Sequence, residues 1–542
     1  MTKKSENVVL SEMNQPFRLD FPNLNSTAVE TIKNSKLYHN AAKIHSSEEE
    51  LNKLSLTSSV TTNGWDTVSI CRVTALNERI KNKKTYPASI ALATGQLSIN
   101  GDFNAWKIIT GGDGRNVKLE LPIKSGKYLG IDFGKGNSFD ISNVSVDIYV
   151  KLNYFPIPNP KIAANGEYNL FVNTKQGSQS DPIAAVVSLS DPSGKIDDVN
   201  KSILRGLFET WLNKPENLKK FDTLFSTVLI NNMGQQSDDF KWLRATSISY
   251  AYTDKNTEDS SIFGILCMTN DRPNDGLPNQ LPAISLESDD NAVFLINREV
   301  FVKYQLIPAL PFVFTDSPDA QYVLDKAGTT VNATNIKLEA VRVGAIDYHP
   351  VAKTFDMCFD ETYIRTTVKI ETEISPGIVA HTMIMTKQTL TLGKNDKGEQ
   401  VMTYEMIGDP IVENSTDIAT WIVVTEIIVA LIGAVVVGVA AKVATKLVTL
   451  VVGIVVAVVI AIVSVVIHVI IEKVISGGVT DKLPSIEPMV KLATNQIKWP
   501  FCMDNAFMLT NIEYSGAIIF DGNLKLQDCF RIENKRLVSI AV

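Results

Sequence analysis

Cysteine is scarce in this chain. Cys71, Cys267, Cys358, Cys502 and Cys529 are its only five in 542 residues. They lie far apart with no CxxC pair, which excludes a disulfide framework and leaves them as small buried hydrophobes. Histidine is equally scarce, and His39, His45, His349, His381 and His468 show no ligand spacing, so no metal site and no cofactor are expected. Positive charge is not in excess: 52 Lys and Arg face 59 Asp and Glu, a net charge of -7. Such a balance excludes a protein that coats nucleic acid. Charged residues make up only 20% of the chain against 45% hydrophobic, which excludes a disordered chain. The opening MTKKSENVVLSEMNQ has lysines but no apolar run behind them, so no classical signal peptide is read there. Cytoplasmic synthesis followed by release through another route is the expectation.

Enzyme motifs are missing too. There is no HExxH, no GxSxG and no Walker lysine loop, since GGDGRN at 111–116 lacks the Lys-Ser/Thr that would follow. The glycines of 130–136 fit a hairpin turn. Asp254, Asn256 and Glu258 alternate faintly like a calcium loop, but Asp259 stands where that loop needs glycine. Arg79, Lys81, Lys83 and Lys84 form a basic patch whose default reading is a solvated turn. No catalytic residue is assigned, and a non-enzymatic protein is expected.

What is present is strand patterning. At roughly 150 residues per domain the chain has room for two to four domains. Residues 1–62 are polar, rich in Ser, Asn, Lys and Glu, and form an extension that builds no core alone. From Asn63 the pattern becomes β. Val117, Leu119, Leu121 and Ile123 alternate with Lys118, Glu120 and Pro122, and Val144 to Tyr154 alternate likewise. A helix is predicted over about 197–223, where Val199, Ile203, Leu207 and Trp211 recur four apart behind Asp197 and Asp198. Strands return, including the alternating Ile364–Ile374, and further helix is predicted over about 417–476 and 485–498. The order predicts an α+β protein of two similar units, 63–315 and 316–542, each a sheet accompanied by long helix.

The apolar content is concentrated in one place. Residues 427–441 carry no charge, and the 25 residues from Leu447 to Ile471 carry none except His468. About 20 apolar residues suffice to cross a bilayer as helix. Small residues recur every fourth position: Ala430, Ala434 and Gly438, then Gly453, Ala457 and Ala461. Folded back antiparallel, these would meet in one register, with Lys442 and Lys446 at the tip and Glu426 beside His468 as a pH-sensitive pair. The expectation is an apolar helical hairpin, with one continuous helix the alternative because VATKL at the turn has neither Gly nor Pro. A helix apolar all round is buried either in protein or in lipid.

Several strings carry a resemblance. NGWDTVSICRVTALNERI (63–80), WKIITGGDGRNVKLELPIKSG (106–126), FDISNVSVDIYVKLNYF (139–155), ISYAYTDKNTEDSSIFGILCMTNDR (248–272) and KWPFCMDNAFMLTNIEYSG (498–516) are similar to the clostridial 47-kDa protein family encoded beside botulinum neurotoxin. The resemblance runs in order from Asn63 to the end and leaves 1–62 outside. It implies a TULIP-like (tubular lipid-binding) fold, long curved antiparallel sheets wrapped around long helices. It also implies a non-enzymatic accessory protein of bacterial toxin loci, some of them insecticidal, that holds lipid in apolar grooves. Trp211 and its helix would then line the first groove, and the hairpin the second. Lipid or a membrane surface, and other toxin-cluster proteins, are the implied partners. An alternative is a membrane-inserting toxin component that uses 418–476 to form or help form a pore. The family supplies no residue-level active site.

Overall fold

The computed structural model describes residues 44–45, 59–132, 135–156, 166–173, 182–218, 220, 225–230, 242–284, 286, 290–314, 316–317, 320–395, 397–418, 439, 442–443, 485–499, 502–526, 530–533 and 536–539. The chain divides into two units that interleave in sequence. The first comprises Thr61–Ile296, Val490–Thr510 and Ile519–Val542; the second comprises Met1–Val60, Asn297–Met489 and Asn511–Ile518.

The first unit grows from a 17-residue strand, Asn116–Asp132. Val117, Leu119, Leu121 and Ile123 bury on its inner face, as the two-residue period requires. Opposite them, antiparallel, lie Val150, Ile148 and Val146 of strand Ser145–Pro156. The far half of the long strand pairs instead with Leu97–Phe103 and with Lys135–Asp140. Ser145–Pro156 carries the sheet on to Gly166–Val172 and Ala184–Ser190. A further antiparallel run joins Ala245–Thr253, Ile262–Thr269, Thr67–Arg72 and Ala292–Asn297 in that order. All eight residues of Ile262–Thr269 are buried, so this strand is covered on both faces.

A helix, Asp198–Leu212, packs on that sheet. Asp197 starts it by accepting a hydrogen bond from the backbone N–H of Asn200 at 2.9 Å. Leu204, Phe208, Trp211 and Leu212 bury along one side. It stops at Asn213, whose Oδ1 accepts from the N–H groups of Ile183 and Ala184, and whose Nδ2 donates to the Ala184 and Glu209 carbonyls. Pro215 then opens only a four-residue turn, because the residue before a proline is steered away from helix.

The second unit is an antiparallel sheet ordered Val323–Leu324, Thr330–Lys337, Val351–Phe359, Ile364–Ser375, Ile378–Lys394. Pro376 and Gly377 turn the last two strands into a tight hairpin, with Gly377 at φ +80° and Ser375 opposite Ile378. Two strands then share one edge of the 17-residue strand Ile378–Lys394. Gln400–Ile407 pairs with its 388–394 half, and Ile411–Ile418 with its 378–385 half. Ile44–His45 adds in parallel to Gln400–Ile407.

The structure corrects the expected α+β fold of sheets wrapped around long helices. Among the described residues the chain is mostly antiparallel sheet, with strands of up to 17 residues. Its longest helix there has 15 residues, about 22 Å at 1.5 Å per residue. The helix predicted over 197–223 ends ten residues early, at the Asn213 cap. The helix expected over 485–498 spans Glu487–Asn495, and Ile497–Lys498 leave it as a strand. No long apolar helical hairpin occurs among the described residues, and none of their helices is long and apolar enough to cross a membrane. Asp417, expected to open the apolar helix, is a strand residue opposite Val379. Of the candidate residues named on the hairpin only Lys442 is described, as an exposed helical residue beside buried Val443. Glu426, Ala430, Ala434, Gly438, Lys446, Gly453, Ala457, Ala461 and His468 lie outside the described residues.

Candidate functional site

Three neighbouring strands of the second unit bring polar side chains to one face. Cross-strand register sets them in rows: Glu371 opposite His381 opposite Ser415, and Lys369 opposite Met383 opposite Glu413. The strand period of two sends the intervening Ile370, Thr382 and Asn414 to the other face, where Thr382 Oγ1 donates to Asn414 Oδ1 at 2.9 Å. Residues of these rows line a cleft of about 380 Å³, to which the intervening Ile370, Thr382 and Asn414, and Lys353 and Thr354 of strand Val351–Phe359, also contribute. That volume lies at the lower end of the range for ligand-sized clefts.

His381 is the centre of this face. Its Nε2 lies 2.7 Å from Asp417 Oδ2, and its Nδ1 lies 3.6 Å from Glu371 Oε1. Glu371 also pairs with Lys353 Nζ at 3.3 Å. The imidazole is thus held between two carboxylates on the strands to either side. Ser415 stands directly across from His381, so the residue types of a Ser-His-Asp triad are present. The geometry is different: both ring nitrogens face carboxylates, and neither is aimed as a base at the serine hydroxyl. Lys369 and Glu413 are exposed and make no ion pair with any described residue. The cleft therefore offers one free cation and one free anion on either side of the Met383 thioether, an arrangement suited to holding a ligand of mixed charge.

None of this was expected of His381, which was set aside for want of ligand spacing. Asp417 lies 36 positions away in sequence, and only the register of Ile411–Ile418 on Ile378–Lys394 brings the two together. The expected groove residue Trp211 is 2% exposed. Its ring lies 5.8 Å from Phe103, which in turn meets Trp106 edge-on at 5.3 Å. It belongs to the closed core of the first unit.

The other sequence candidates have structural employment. Asp254 accepts from the N–H of Gly111 and of Asn256, and Glu258 takes a charged hydrogen bond from Lys107 at 2.7 Å. No group of three His, Cys, Asp or Glu able to hold a metal occurs among the described residues. Lys81 and Lys83 sit in the last turn of helix Val73–Lys83, where cations favour the helix dipole, and Lys84 closes it in the left-handed region. Cys71 and Cys267 are buried, and burial pushes the Cys267 thiol up to about 12. Burial also raises the Cys358 thiol, which donates to Asp360 at 3.2 Å. Both stay protonated at neutral pH, the poor state for a nucleophile.

The antiparallel fold has solved counterparts. The solved structure of P47 from Clostridium botulinum A2 superposes with a TM-score of 0.59 over 86% of this chain and 98% of that one, at 17% identity. P47 of Clostridium botulinum E1 gives 0.56 over 86% of this chain and 100% of its own, at 16% identity. Those likenesses establish the fold. The sequence establishes the family: the profile of the OrfX-like proteins, described as protein OrfX2/OrfX3/P47, matches residues 62–522, and the chain belongs to that family. It is 28% identical to protein OrfX3 of Paraclostridium bifermentans over 382 residues, 65% of this chain and 76% of that protein. It is 30% identical to protein OrfX3 of Clostridium botulinum (strain Kyoto / Type A2) over 397 residues, 66% and 78% respectively. The family consists of accessory proteins of the botulinum toxin cluster, in agreement with the resemblance carried by the strings from Asn63 onward.

Proposed function

We propose that the chain acts by binding rather than by catalysis, as a toxin-cluster accessory protein that engages lipid or a membrane surface. The observation that supports this is a long apolar run in the sequence. Among the described residues, the first unit's core, from Cys71 to Leu524, comes from that unit's own residues, Leu204, Phe208 and Trp211 among them. The run Leu447–Ile471 has 25 residues without charge except His468. Removing such a run from water is worth about 25 cal/mol per Å² of apolar surface covered, and lipid is one medium that covers it. The non-catalytic reading is supported by the pairing of both His381 nitrogens to carboxylates. In this reading the protein is released from its cell and works beside a toxin whose delivery it assists.

Flotation of the full chain with liposomes tests the proposal, using phosphatidylcholine alone and phosphatidylcholine with phosphatidylserine. The expected result is co-flotation with at least one composition, lost in Val456→Asp/Ile460→Asp. Wild-type protein that stays at the bottom of the gradient with both would overturn it.

A further inference from the structure

The outer face of the second unit carries a feature that the lipid reading leaves unused. Lys369 and Glu413 stand on either side of Met383, one strand away each. At a strand spacing of about 4.8 Å their backbones are about 10 Å apart. Both are exposed and without an ionic partner among the described residues, whereas the groups beside them have partners: Lys353 pairs with Glu371, and the His381 ring lies between Glu371 and Asp417. A cleft of about 380 Å³ opens over them. Met383, whose thioether adapts readily to an apolar partner, is among the residues that line it.

We propose that this cleft docks an extended peptide segment of a partner protein, one that presents an acidic and a basic side chain on either side of an apolar one. The acid meets Lys369, the apolar side chain lies on Met383, and the base meets Glu413. Alternate residues of an extended peptide share a face, so the motif is acid–x–apolar–x–base, or its reverse read in the other direction. Lys353, Glu371 and His381 line the rest of the cleft. Opposite charges at the two ends, rather than one sign throughout, give the site its selectivity.

Methyl NMR of the full chain labelled at methionine provides the test, with the Met383 methyl as reporter. The probes are the acetylated and amidated peptides Glu-Ser-Leu-Ser-Lys, Glu-Ser-Leu-Ser-Glu and Gln-Ser-Leu-Ser-Gln. The expected result is a saturable Met383 shift with the first peptide and a response at least about tenfold weaker with the other two, a difference of about 1.4 kcal/mol. Lys369→Glu and Glu413→Lys should each abolish the shift. The double exchange Lys369→Glu/Glu413→Lys should restore it, because the peptide can bind turned around. A Met383 shift as strong with the Gln peptide, no shift with any peptide, or no restoration in the double exchange would each overturn the proposal. Both exchanged residues are exposed, and unchanged thermal melting of the variants separates lost docking from lost folding. Liposome flotation has no bearing on this readout, so the two readings fail separately.

Discussion

The helix Asp198–Leu212 and the strand patch around His381 were built by the same rule and ended with opposite characters. Each has apolar residues at the period of its own structure. In the helix that period turns Leu204, Phe208 and Trp211 into the core, and the chemistry of the face is exhausted by burial. In the patch it sends Ile370, Thr382 and Ile384 inward and leaves every second position of three strands free to carry charge. A bold aromatic in a regular pattern marks core. A plain polar residue in the off-phase of a strand marks a position whose partner is chosen by register.

The largest effect should come from the helix. Trp211→Ala should destabilise the first unit by about 3–5 kcal/mol, the usual cost of emptying a large aromatic site, read by circular dichroism in denaturant. Below the transition it should leave the Met383 response intact, and loss of that response would break the contrast between the regions. Next is the cap at the helix end. Asn213→Ala leaves the Ile183 and Ala184 N–H groups without their acceptor, at a cost of about 1–3 kcal/mol for such part-buried donors. Hydrogen exchange at Ile183 and Ala184 should rise first. A local pH effect follows at the other end. Hydrogen bonds from the Asn200 backbone and side chain hold the Asp197 carboxyl below the ordinary aspartate range. The cap's stabilisation is thus fully present above that range and is lost as pH falls through the lowered folded value. The Asn200 amide signal should move only in that acid window; a titration at or above the ordinary range would contradict the cap. The smallest effect should come from His381→Ala. The imidazole and both its carboxylates are about one-third exposed, so solvent screening holds the cost below about 1 kcal/mol. A melting shift as large as that of Trp211→Ala would show that the patch is core after all.

Much of the sheet was legible before the structure. The alternation at Val117–Ile123, at Val144–Tyr154 and at Ile364–Ile374 located three strands and their buried faces, because burial on one face writes itself into every second residue. Asp197 marked the helix start for an equally local reason. The helix end was legible too, in Asn213 and Pro215, but the apolar spacing was extended past them. Strand Ile411–Ile418 was missed for a physical cause. Its inward residues are Val412, Asn414 and Thr416, two of them polar, while Ile411 is exposed. Without hydrophobic alternation nothing local announces it, and Asp417 read as the start of the apolar segment behind it. The candidate site depends on that strand. The Glu371–His381–Asp417 contact is set by pairing across three strands, and the sequence spacing of its members carries no period at all.

The interleaving of the two units bears on how the molecule can be made. Gln496 donates to the Leu243 carbonyl and accepts from the Ala245 N–H, and Ile497–Lys498 pairs with Thr227–Val228 of the same unit. Val60 likewise donates to the Ser515 carbonyl within the second unit. A ribosome that has finished residue 296 has therefore made most of a sheet whose closing pieces are two hundred residues from synthesis. The nascent chain must wait with those edges unpaired, dependent on chaperones or on slow closure of long loops. Cutting the gene between the apparent halves yields two unfinished proteins rather than two domains.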